Sequence, residues 1–219
     1  MPPRQRMNRS METPQEAYIK AHTAPQGPAL DWVERMTNIH TNYPRMLSGP
    51  VQGRLLTILV EAISARRVLE IGTFTGYSTI FMAQGLPEDG HVDSLEINDE
   101  LEDLIRAGWE RAGVSDKINL HIGDALQTLS TLSGPYDFVY MDANKREYSS
   151  YYELVLPLVR TGGLILADDV LWDGKPYETA KTDRQTLGIE RFNDIVAADP
   201  RVEAVMLPLR HGLSLIRKR

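Results

Sequence analysis

One stretch limits the possible folds of this chain more than any other: Arg67-Val68-Leu69-Glu70-Ile71-Gly72-Thr73-Phe74-Thr75-Gly76-Tyr77-Ser78. Val68 to Ile71 is largely β-branched or aliphatic and runs into a turn signal, which predicts a short buried strand. Gly72 and Gly76 permit a tight turn and a close approach of whatever lies above it. Thr75 or Gly76 then opens a helix through Ser78, Ile80 and Met82. A strand, a glycine turn and a helix make the ligand corner of an open α/β sheet, at the carboxyl ends of the strands.

The spacing departs from the dinucleotide fingerprint, which would place glycines at 72, 74 and 77; the chain has Gly72, Phe74 and Tyr77 there. A pyrophosphate would press against Phe74. Glu70 sets a negative charge just before the turn, which suits a cationic ligand better than a phosphate. An E-x-G-x-x-x-G corner points to S-adenosylmethionine, which carries an ammonium and a sulfonium. The alternative is a plain strand-to-helix turn.

Composition narrows the class. The 219 residues, 42% hydrophobic and 25% charged, suit one globular domain with a sizeable core. A net charge of −6 gives a nucleic-acid partner no bulk electrostatic help. There is no cysteine, hence no disulfide and no thiolate zinc site. No apolar run approaches the roughly 18 to 20 residues that span a membrane. Residues 1–11 carry Arg4, Arg6 and Arg9 with two prolines and no apolar centre. They fail as a signal peptide, and the expectation is a disordered tail on a cytoplasmic protein.

Residues 12–219 read as a single domain, with 12–64 an N-terminal helical cap. Thr13 or Pro14 starts a helix through Glu16, Tyr18 and Ile19. After Pro25, Gly27 and Pro28, a second helix carries Leu30, Val33, Met36 and Ile39 on one face. Tyr43 to Pro50 is too broken for a helix and too apolar for a mobile loop; it covers a ligand or packs on the core as a connector. Residues 51–64 form a third helix. From 67 onward strands at 67–71, 91–97, 118–122, 136–141 and 163–168 alternate with helices at 76–85, 99–112, 124–132 and 147–159. Strict alternation predicts a parallel sheet with helices on both faces. A polar loop from Trp172 to Asp183 and a helix to Ala198 follow. Val202–Leu207 and Leu213–Arg217 then form a hairpin, so the last strand runs antiparallel to the rest.

Polar residues at strand ends are the candidates for chemistry. Glu96 closes the second strand 20 residues after Gly76, placed to accept two ribose hydroxyls; the alternative is a solvated strand-end acid. Asp124 accepts from an adenine amino group, or caps the next helix, or both. The fourth strand ends in Asp142-Ala143-Asn144-Lys145 and the fifth in Asp168-Asp169. Three carboxylates at neighbouring strand tips repel unless a cation lies between them. Oxygen ligands favour Mg²⁺, or Ca²⁺ and Mn²⁺, over zinc. Separate helix caps and salt bridges are the alternative. Lys145 beside a dication would have its pKa lowered toward that of a general base; otherwise it is a solvated loop lysine.

At these residues the chain resembles the cation-dependent O-methyltransferases, the group of catechol and caffeoyl-CoA O-methyltransferases. The resemblance spans about residues 43–219. It lies in V-L-E-I-G-T-F-T-G-Y-S at 68–78, L-P-E-D-G at 86–90, Y-D-F-V-Y-M-D-A-N-K at 136–145, G-G-L-I-L-A-D-D-V-L-W at 162–172, and Asp199 to Glu203, Leu207-Pro208 and Gly212-Leu213. It implies a Rossmann-like seven-stranded, mostly parallel α/β sheet of order 3-2-1-4-5-7-6, with strand 7 antiparallel. It implies Asp142, Asp168 and Asp169 as metal ligands and Lys145 as catalytic base. For S-adenosylmethionine it points to Met46, Ser48, Glu70, Gly72, Thr73, Ser78, Glu96, Ala125 and Asn144, beside Gly76, Tyr77, Asp124 and Asp142. Lys145, Trp172 and Asp173 would meet the acceptor. Three departures stand out: Asp169 replaces the family's asparagine, Asn144 stands where aspartate is common, and His211 replaces an aspartate in a turn read as structural.

The expected reaction is methyl transfer from S-adenosylmethionine to a metal-chelated hydroxyl of a small catechol-like or phenolic acceptor. The rivals are a hydroxyuridine methyltransferase acting on tRNA, helped by Arg4, Arg6, Arg9 and Arg35, and a non-catalytic S-adenosylmethionine-binding module. Phe74 and Tyr77 disfavour a nicotinamide oxidoreductase. Family analogy implies a homodimer.

Overall fold

The computed structural model describes residues 13–177 and 183–219; the tail expected at 1–11 lies outside them. The described strands are β1 (Arg67–Ile71), β2 (His91–Glu96), β3 (Ile118–Ile122), β4 (Tyr136–Met141), β5 (Val159–Asp168), β6 (Val202–Leu207) and β7 (Leu213–Lys218). They form one sheet of order β3-β2-β1-β4-β5-β7-β6. β7 is antiparallel to β5 and β6, and the other pairings are parallel. This is the topology the sequence led us to expect.

Both faces of the sheet are buried at its centre, which is why the central strands read as nearly continuous apolar runs. Side chains alternate along each strand. Val68, Phe138, Tyr140 and Leu166 face one layer of helices; Leu69, Ile71, Val139 and Met141 face the other. The first layer is built from α2 (Pro28–His40), α3 (Gly49–Ala62), α4 (Tyr77–Gln84) and α5 (Glu102–Ala112). The second is built from α6 (Ala125–Leu129), α7 (Tyr148–Leu158) and α8 (Arg184–Ala198). The first helix, α1 (Pro14–Ala21), starts at Thr13 in a capping box with Glu16 and buries none of its residues.

Among the boundaries that differ from the sequence reading, two have a cause visible in the structure. β5 begins at Val159 rather than 163, because Val159 pairs with Tyr136 before the register shifts and Leu164 meets Phe138. Gly162, at φ 76°, takes the bend, and α7 ends at Leu158. α6 stops at Leu129 instead of 132, since the hydroxyls of Ser130 and Thr131 turn back onto the carbonyls of Gln127 and Thr128 at 2.6 and 2.8 Å. Among the described residues no helix is long and apolar enough to cross a membrane.

Candidate active site

The carboxyl ends of β1, β2, β4 and β5 open onto a cavity of about 840 Å³, with Asn42 to Ser48 along its wall. That segment, a short helical turn at Pro44–Met46 leading into α3, exposes Tyr43 and Met46 beside the cavity. The turn after β1 forms the floor. At Gly72 (φ 99°) a Cβ would meet the carbonyl oxygen of Asp142 at 2.2 Å, so the turn can pass the tip of β4 only as glycine.

Most residues expected at the cofactor line this cavity: Met46, Ser48, Gly72, Thr73, Tyr77, Ser78, Glu96, Asp124, Ala125, Asp142 and Asn144. Glu96 accepts the backbone N–H groups of Phe74 at 2.6 Å and Asn98 at 2.8 Å. Burial nevertheless holds its pKa above the ordinary value. Asp124 does cap α6, accepting from the Gln127 amide at 3.0 Å, and lines the cavity as well.

Two expected cofactor residues do not reach the cavity wall. Glu70 shares a strand face with Val68 and is fully buried beneath the turn. Its carboxylate accepts from Ser78, Thr79 and Ser94, each at 2.5 Å. Burial raises its pKa to about 7 despite those three donors. Glu70 therefore pins β1, β2 and the start of α4 together instead of presenting charge to a ligand. Gly76 (φ 78°) caps α4 against Trp109: a Cβ there would meet the indole nitrogen at 2.4 Å, and that nitrogen donates to the Gly76 carbonyl at 3.2 Å.

Asp142, Asp168, Asp169 and Lys145 all line the cavity, but the three acids do not surround one point. Among the described residues no three acidic or imidazole side chains are grouped as metal ligands would be. The buried Lys145 ammonium lies 2.5 Å from Asp142 Oδ1 and 3.0 Å from Asp169 Oδ2. Asp168 turns elsewhere. Its Oδ2 accepts from Gln52 Nε2 at 2.5 Å and the Tyr140 hydroxyl at 2.8 Å, and its Oδ1 from the Asp169 amide at 2.7 Å.

The neighbours of Lys145 set its pKa. Burial alone would lower it, but Asp142, Tyr148 and Asp169 overcome that and hold the ammonium well above its ordinary range. Asp142 is pushed up by burial and by its two neighbouring carboxylates, against the pull of Lys145.

Trp172 and Asp173 also line the cavity. Asp169, Trp172 and Asp173 all have left-handed backbones, at φ 59°, 39° and 56°, a strain that must be held by surrounding bonds. Backbone amides of Leu171 and Trp172 donate to the His211 carbonyl at 2.8 and 3.2 Å. The His211 ring also meets Asp173 at 2.6 Å and lines the cavity, so a residue expected to be purely structural belongs to the site wall.

Sequence reasoning overlooked Gln52, Tyr140 and Tyr148. Gln52 had a signal: with Leu56 and Val60 it repeats every four residues on the buried face of α3, where an amide needs a reason. Tyr148 follows Lys145 by three residues, close to one helical turn.

Sheet order, the glycine floor and the polar strand tips place the chain among the Rossmann-like enzymes with a methyltransferase topology. It belongs to the O-methyltransferase family, whose model matches residues 20–219. It is 36% identical over 198 residues to tricin synthase 2 of Oryza sativa subsp. japonica, covering 84% of this chain and 66% of that protein. It is 35% identical over 170 residues to a catechol O-methyltransferase of Niastella koreensis, covering 76% and 77%. Its fold superposes on the O-methyltransferase of Bacillus cereus, solved in complex with SAH, with a TM-score of 0.88 and 33% identity, covering 95% of this chain and 98% of that one. The resemblance carried by the motifs thus holds at the level of the family.

Proposed function

We propose that this chain transfers a methyl group from S-adenosylmethionine to a hydroxyl of a small catechol-like or phenolic acceptor. The carrying observation is Lys145, whose amine stands between Asp142 and Asp169 on the wall of the cavity floored by Gly72. The SAH complex of the Bacillus cereus relative and the name of the Niastella koreensis relative support the same reading.

S-adenosylmethionine, when bound, supplies an electrophilic methyl on sulfur. Gly72 leaves room for its approach, Glu96 would take its ribose hydroxyls, and Asp124 its adenine amino group. Asp142, Asp168 and Asp169 fit a divalent cation in donor chemistry, since they offer oxygen alone and two of them already converge on one positive centre. Such an ion would supply Lewis acidity to the hydroxyl and neutralise the charge that keeps Lys145 protonated.

The chain's own residues do the rest. The neutral Lys145 nitrogen takes the hydroxyl proton. The acceptor oxygen forms the new O–C bond as the S–C bond breaks, leaving a neutral thioether. Trp172 and Asp173 orient the acceptor, and alignment of oxygen, methyl and sulfur supplies much of the rate.

A tRNA acceptor is disfavoured by the balance of the wall, where Glu96, Asp124, Glu147, Asp173 and the three aspartates outnumber Arg45, Lys145 and Arg210. The Asp142–Lys145 pair speaks against a non-catalytic binding module. Family analogy also suggests a homodimer, which light scattering would read. The deciding assay is methyl transfer to catechol with EDTA and then with excess Mg²⁺. Chelation abolishes turnover and Mg²⁺ restores it; full activity in EDTA removes the metal from this scheme, and no transfer to any phenol or catechol removes the scheme.

A further inference from the structure

Tyr148 is fully buried, its ring edge-to-face against Phe192 with centroids 5.4 Å apart. Its hydroxyl sits where three groups meet. It donates to the Asp168 carbonyl at 2.9 Å and lies 3.2 Å from the Met141 carbonyl. It accepts from Lys145 Nζ at 2.8 Å. A phenol has one proton, and two buried carbonyls already compete for it. Toward Lys145 the oxygen therefore offers only lone pairs.

The Lys145 ammonium has three protons and three partners: Tyr148, Asp142 Oδ1 at 2.5 Å and Asp169 Oδ2 at 3.0 Å. To reverse the bond from Lys145 to Tyr148, the hydroxyl would have to turn its one proton away from the Asp168 carbonyl. The other two bonding positions of the nitrogen face Asp142 and Asp169, which line the cavity. Met141 and Asp168 are also the last residues of β4 and β5, so one hydroxyl ties together both strand tips and the lysine between them.

We propose that Tyr148 is a positioning residue for methyl transfer: its hydroxyl, anchored on the tips of β4 and β5, holds the Lys145 nitrogen at the cavity wall where the bound acceptor meets it. This rests on Lys145 being the base.

Tyr148→Phe keeps the ring and its contact with Phe192 while removing the hydroxyl. With catechol as acceptor, kcat falls by about tenfold or more, while KM for S-adenosylmethionine stays within about twofold. Calorimetric binding of SAH is unchanged, showing that fold and cofactor site survive. In a Lys145→Ala background the same substitution alters the residual rate by less than about twofold, because the hydroxyl acts only through the lysine. An equal loss in both backgrounds, a loss of SAH binding, or an unchanged kcat in the single variant overturns the proposal. If Lys145→Ala retains the full rate, the reading of Lys145 as base fails and takes this one with it. If Lys145→Ala is impaired and Tyr148→Phe is not, only the role of Tyr148 falls.

Discussion

Replacing Glu70 by glutamine should change how stability depends on pH, and the structure sets the size of the effect. Glu70 is fully buried, and burial lifts its carboxyl from the ordinary 4.5 to about 7 against the pull of Ser78, Ser94 and Thr79. In the unfolded chain the same group titrates near its ordinary value. Between the two values the unfolded state has released a proton that the folded state still holds. The stability tied to this group is therefore complete below the unfolded pKa and is lost as pH rises through about 7. The interval from 4.5 to about 7, at about 1.4 kcal/mol per pH unit, amounts to about 3 kcal/mol. Glu70→Gln has no proton to lose. Its amide can still pair with the surrounding hydroxyls, and the rearranged bonds cost about 1 kcal/mol at low pH. The variant should be about 1 kcal/mol less stable than the parent near pH 4.5 and about 2 kcal/mol more stable at pH 8, crossing between. Urea unfolding across that range, with unchanged denaturant slope, reads the difference directly. A difference that stays flat from acid to alkaline pH would mean that Glu70 is ionised throughout, and the argument from its burial would be wrong.

Other outcomes follow from single contacts. Lys145→Ala should lower kcat by about a hundredfold or more and leave SAH affinity within about twofold; an unchanged rate rules it out as the base. Gly72→Ala should cost about 2 kcal/mol in thermal unfolding and weaken SAH binding more than about tenfold, because its methyl would meet the Asp142 carbonyl at 2.2 Å; normal binding would show that the turn has room to spare. Gln52→Leu should leave stability within about 1 kcal/mol, since Gln52 Oε1 is already buried without a partner. It should still reduce turnover, because Asp168 loses a donor at 2.5 Å; unaltered kinetics would show that Gln52 does not orient that carboxylate.

What could be read in advance was whatever is encoded locally. The strand–glycine–helix corner at 68–78, the alternation of apolar strands with helices, and the start of the first helix at Thr13 or Pro14 depend on neighbours a few residues apart. Their periodicity and turn chemistry survive without knowledge of the fold. Sheet order followed once the motifs pointed to a family, whereas the short link between the last two strands had already made β7 antiparallel. The strand tips also placed Asp142, Lys145, Asp168 and Asp169 on one cavity, since neighbouring parallel strands end side by side.

Only the tertiary structure decided what those side chains do there. Glu70 looked like a ligand contact because its charge stands beside the turn; its hydroxyl partners come from α4 and from β2, a separate strand, and together they turn it inward. Gly76 is required by Trp109, 33 residues away in sequence. Asp168 is claimed by Gln52 across 116 residues. Local sequence carries no term for such pairings, because their energy exists only after the loops between them have closed. The short-range code of this chain thus builds the floor and rim of the cavity, while packing between distant elements sets the direction of each charged group inside it.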